Sequence, residues 1–81
     1  MYAIKRKNIN ANSLKNEDLY LYHWDMNKSN GYEGLNFKPI RGNRLFHYCY
    51  CWSNIDGAIE AIEVFNRVFN HMCPEMEVVA I

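Results

Sequence analysis

Leu45-Phe46-His47-Tyr48-Cys49-Tyr50-Cys51-Trp52 alternates between two sets of side chains, and one amphipathic helical pattern follows it directly. At a strand's period of two, Phe46, Tyr48, Tyr50 and Trp52 point one way; Leu45, His47, Cys49 and Cys51 point the other. A single helix covers one face of a sheet, so the second face must meet solvent or a partner. Fold and function are constrained together by that choice.

Similar patterning organises the rest of the chain. Tyr2 to Lys7 reads as a first strand, and Asn8 to Asn16 as an Asn-rich loop. Asp18 to Met26 reads as a second strand, with Leu19, Leu21, His23 and Asp25 on one face and Tyr20, Tyr22, Trp24 and Met26 on the other. Asn27 to Gly34 is turn-rich, and its Asn30-Gly31 pair suits positive φ. Leu35 to Ile40 is a short strand that Pro39, lacking an N–H, places at an edge or ends. Gly42-Asn43 suits a tight hairpin turn leading into the strand Leu45 to Trp52.

Ser53, Asn54 and Asp56 offer oxygens to the free N–H groups of a first helical turn. From there to His71 an apolar stripe (Ile55, Ala58, Ile59, Ile62, Phe65, Val68, Phe69, Met72) opposes Asp56, Glu60, Glu63, Arg67 and Asn70. Pro74 bars continuation of the helix. Glu77 to Ile81 is a short apolar run, which predicts a last strand in the sheet interior beside the first. The sum is a single α+β domain over residues 1–81, a two-layer sandwich of a mostly antiparallel four- to five-stranded sheet and one amphipathic helix. Its order is β-β-β-β-α-β.

Small Cys side chains would let the bulky Ile62, Phe65 and Phe69 approach closely, which assigns the Leu/His/Cys face to the helix. Tyr20, Tyr22, Trp24, Tyr48, Tyr50 and Trp52 then form a displayed patch suited to partner binding. The competing reading makes those aromatics the core and turns the His/Cys face outward.

Charge adds two further candidate contacts. The chain has no net charge, yet residues 1–44 hold eight Lys/Arg against four Asp/Glu, and residues 45–81 hold one against five. Arg41 and Arg44 represent the basic half as partner contacts, and Asp56, Glu60 and Glu63 the acidic half. Such a balance disfavours wholesale binding of duplex phosphates.

Chemistry beyond binding finds little support in the pattern. His47-x-Cys49-x-Cys51 holds metal-competent side chains, but alternate strand residues lie about 6.5 Å apart, unlike the knuckle spacings of zinc sites. No Gly-rich oxyanion turn accompanies a Cys-His pair, and the remaining titratable residues are scattered. The expectation is a protein that is not an enzyme and needs no cofactor or metal. Three Cys with no apolar leader at Met1 to Lys7 suggest reduced thiols in the cytoplasm, away from membranes.

A strand starting near Met1, an acidic-faced helix from Asn54 to His71 and a terminal Glu77-Val78-Val79-Ala80-Ile81 strand resemble the plan of small phage and mobile-element accessory proteins, including inhibitors of CRISPR systems. The resemblance implies a compact inhibitor that sterically blocks a host protein complex, often as a homodimer. The alternative is a small single-stranded nucleic-acid-binding protein with Tyr48, Tyr50 and Trp52 as a stacking platform. That alternative lacks the Gly-rich aromatic octamer of the RNA-recognition motif.

Overall fold

Among the described residues the fold is a five-stranded antiparallel sheet with one long helix, as the patterning predicts. A computed structural model of the chain describes residues 1–6, 19–40, 49–70 and 72–81. The predicted loop at 8–16, the Gly42-Asn43 turn and the Leu45–Tyr48 half of the fourth strand lie outside them.

β1 (Tyr2–Arg6) is the axis of the sheet. Along one edge it pairs over its whole length with β5 (Met76–Ala80), from Tyr2↔Ala80 to Arg6↔Met76. Two strands share its other edge. Lys5 and Arg6 pair with β2 (Leu19–Trp24), while Tyr2 and Ala3 pair with β4 (Cys51–Trp52). β3 (Leu35–Pro39) closes the far side against β2 and ends at Pro39, the edge position that a missing N–H dictates. β5 was expected in the interior; among the described residues it pairs with β1 alone. Its apolar run is explained differently, because Val78 lies opposite Ile4 under the helix and Val79 opposite Ala3 on the far face.

Sharing an edge forces β2 to leave β1 after Tyr20. The Leu21 carbonyl accepts the Tyr50 N–H at 3.0 Å, so the strand that carries the aromatics is inserted between β1 and the end of β2. Between Leu21 and His23 the β2–β3 register slips by one residue: Leu21 faces Phe37, yet Trp24 faces Leu35. A bulge of this kind reverses the side-chain parity of everything beyond it. Leu19, Leu21 and Trp24 therefore share one face, and Tyr20 and Tyr22 the other.

α1 (Gly31–Gly34) is a single turn where a plain loop was expected, started by Asn30, whose side chain accepts the Glu33 N–H at 2.9 Å. Its glycines serve close approach rather than positive φ. A Cβ on Gly31 would lie 2.9 Å from the Cys73 Cα, and one on Gly34 only 2.5 Å from the Phe69 ring. α2 (Ile55–Val68) starts at the predicted Asn54, whose side chain accepts the Gly57 N–H at 2.7 Å. It ends before Pro74 is reached, with the Phe69 N–H bonded to the Phe65 carbonyl. Ile4, Leu21, Leu35, Phe65 and Phe69 form the core, with Trp24, Phe37, Trp52 and Ile62 packed around it. The apolar stripe of α2 is wider than the sheet covers: Ala58 and Phe65 are buried, whereas Ile55, Ile59 and Val68 are exposed.

Candidate functional site

The helix covers the aromatic side of β4, which reverses the assignment favoured from sequence. Trp52 pairs with Tyr2, on the face of Ile4, and packs against the core; Cys51 pairs with Ala3 on the opposite face. Cys51 and Trp52 do alternate between the two faces, but in the opposite orientation. Smallness resides on the helix instead of on the strand: Gly57, Ala58 and Ala61 face the sheet where α2 crosses the indoles. A Cβ on Gly57 would come within 3.3 Å of the Trp52 Cδ1. Bulky rings below a small-residue helix flank fill the interlayer space as well as small thiols below bulky helix residues would.

The bulge in β2 completes the site by sending Trp24 to this same side, away from Tyr20 and Tyr22. Trp24 and Trp52 lie 6.2 Å apart with planes inclined by 15°, and Tyr50 stands edge-on to both at 4.9 and 4.6 Å. Phe65 closes the inner end, 5.4 Å from Trp24. The rings and the first three turns of α2 border an open cleft of about 300 Å³, with Met26 and Val64 at its sides and Glu60 lining it from the helix. Its floor is built from core side chains, but its outer ring is accessible: Tyr50 is 48% exposed. Glu60 belongs to the predicted solvent stripe, since Asp56, Glu60 and Glu63 are all exposed.

The other predicted contacts are not gathered here. Tyr20 and Tyr22 occupy the face away from α2, where Glu77, Lys5, Tyr20 and Lys38 pair in one row across β5, β1, β2 and β3. The Lys38 ammonium lies 4.6 Å from the centre of the Tyr22 ring. Lys5 meets Glu77 at 3.1 Å, a partly exposed pair that joins the basic and acidic halves of the chain and contributes at most about 1 kcal/mol. Tyr48, Arg41 and Arg44 lie outside the described residues. The sequence pattern puts Trp24 with Tyr50 and Trp52, but it turns that face away from the helix and, with β2 in unbroken register, leaves Tyr20 and Tyr22 on it, so the cleft does not emerge. The available signal was the spacing Leu19, Leu21, Trp24, where an apolar period of two becomes three.

On the far face the chain bends at Cys49, and the Cys49 and Cys51 sulfurs converge to 3.9 Å, closer than an ideal strand would bring them. Among the described residues no group of three or more His, Cys, Asp or Glu gathers as a metal site. Burial, reinforced by the neighbouring Cys51, pushes the Cys49 thiol from its ordinary 9.0 up to about 12, and burial raises Cys73 as well. A thiol held protonated is a poor nucleophile. At pH 8, Cys49 should alkylate roughly a thousandfold more slowly in the native protein than an unhindered thiol, as read by iodoacetamide labelling and peptide mass spectrometry. The same shift carries a stability consequence. Above about pH 9 the unfolded chain loses this proton while the folded chain keeps it, so the contribution of Cys49 to stability falls as pH rises from about 9 towards 12. Denaturant unfolding of the parent and Cys49→Ala should show the parent losing ground across that window.

No family model, curated protein or solved structure matches the chain. Among the described residues no helix is long and apolar enough to cross a membrane.

Proposed function

We propose that this chain is a non-enzymatic protein-binding module whose docking site is the aromatic cleft between α2 and the ends of β2 and β4. What carries the reading is the cluster of Trp24, Tyr50 and Trp52, partly exposed and preset by packing around an open cleft. Trp and Tyr supply large contact area with few rotamers to freeze, and they dominate binding hot spots. Asp56, Glu60 and Glu63 on the adjoining helix would repel a phosphate backbone, which favours a protein over single-stranded nucleic acid as the partner. Steric blocking of a host complex, as an inhibitor of the phage accessory type, is the finer form of this reading and rests on the resemblance in plan.

Affinity capture with the tagged protein, run beside Tyr50→Ala, tests it. Tyr50 is largely outside the core, so the variant should keep the parent's circular dichroism and melting temperature. A discrete protein held by the parent and lost by Tyr50→Ala supports the reading; equal capture by both sinks it. Light scattering across a dilution series identifies the case in which that protein is a second copy of the chain.

A further inference from the structure

We infer that the cleft receives a cationic side chain, the guanidinium or ammonium of a basic segment on the partner; this deepens the protein-binding reading and rests on it. Three observations converge. The cleft wall is built of two indoles and a phenol, whose negative faces attract cations, Trp most strongly. Glu60 adds a full negative charge to the same cleft, with Asp56 and Glu63 on the adjoining stripe, and no Lys or Arg lines it among the described residues.

The chain's own rings supply the third observation. Arg6 sits 5.0 Å from the centre of the Tyr32 ring, and Lys38 sits 4.6 Å from that of Tyr22. Tyr32 and Tyr22, two exposed rings elsewhere on the molecule, are thus capped by basic side chains from within the chain. Trp24, Tyr50 and Trp52 carry no such cap from any described residue, although they form the larger aromatic surface and have a carboxylate beside them. A cation brought by a partner would complete the pattern and neutralise the helix stripe. Desolvation of its stem against Met26 and Val64 would add apolar contact. Arginine suits the site in particular, because its guanidinium can stack on an aromatic ring while its N–H groups reach a carboxylate such as that of Glu60.

Both tryptophans of the chain stand in the cleft, so their indole N–H resonances report occupancy directly. The probe is the peptide acetyl-Gly-Arg-Gly-Arg-Gly-amide, titrated beside the same peptide with citrulline at both arginine positions, which keeps the shape and removes the charge. Shifts of both indole signals, with about three- to fivefold tighter binding of the arginine peptide, are expected. Glu60→Gln should erase most of that preference, whereas Glu63→Gln, outside the cleft, should leave it within about twofold. Equal binding of the two peptides, no movement of the indole signals, or a preference untouched by Glu60→Gln each overturns the inference. Capture of a protein lost on Tyr50→Ala would survive those outcomes, so the broader reading stands or falls separately. Binding of oligouridylate at the same indoles would remove both.

Discussion

Phe69→Ala should remove about 3–5 kcal/mol of folding stability, among the largest effects of a side-chain truncation at the described residues. Phe69 is the bulkiest of the fully buried side chains, 2% exposed, and lies just past the last turn of α2. It packs with Ile4, Leu21, Leu35 and Phe65 and reaches under α1, where its Cζ and Cε1 abut Gly34. Its removal would leave a ring-sized hole where the helix end, the α1 turn and the sheet meet, three elements that cannot all close inward at once. A domain of this size is stabilised by roughly 4–12 kcal/mol in total, so the variant stands near the threshold of unfolding. Urea denaturation is the measurement: a large fall in midpoint, or loss of a cooperative transition, is expected. A loss below about 1 kcal/mol would show that the ring is not the keystone its burial indicates.

Gly34→Ala should also destabilise the fold, for the opposite reason. In an ordinary helical turn Ala is favoured over Gly by about 1 kcal/mol. Here the added Cβ would lie 2.5 and 2.6 Å from two Phe69 ring carbons and 2.8 Å from the Asp25 carbonyl oxygen. The backbone has little freedom to retreat, because the Gly34 carbonyl accepts the Asp25 N–H at 2.7 Å and the Gly31 N–H is bonded to the Met72 carbonyl at 3.0 Å. Overpacking of this kind typically costs about 1–3 kcal/mol or more, which outweighs the helix preference, so net destabilisation is expected. The mechanism predicts a coupling. Phe69→Leu lacks both offending ring atoms, so the combined variant should lose less stability than the sum of the two single losses. It should not recover fully, because the Asp25 carbonyl remains in place. A double-mutant cycle with additive losses would place the strain elsewhere.

Most elements were readable from local chemistry. Asn54 announces a helix start because its oxygen suits the Gly57 N–H, and Pro39 ends an edge strand because it has no N–H to give. The terminal strand lies beside the first, as its apolar character suggested, but at an edge among the described residues, since a two-faced pairing partner can bury an apolar run as an interior position does. The acidic stripe Asp56, Glu60, Glu63 is exposed as its helical spacing requires. The candidate site was less readable. Tyr50 and Trp52 were placed together by simple alternation, but the face they occupy depended on which layer had room for them, and Gly57, Ala58 and Ala61 provide it from the helix.

The amino-acid order by itself determined an α+β sandwich, the start of its helix, the pairing of its first and last strands, and the two-sided character of Cys51 and Trp52. Only the tertiary structure decided that Trp24, Tyr50 and Trp52 gather on the helix side of the sheet while Tyr20 and Tyr22 turn away from it. β4 takes the place beside β1 that β2 would have kept, and β2 answers with one extra residue at Tyr22. That displacement is a competition between two strands for the same row of backbone N–H and C=O groups. Its outcome depends on residues far apart in the chain, and periodicity within either strand cannot express it.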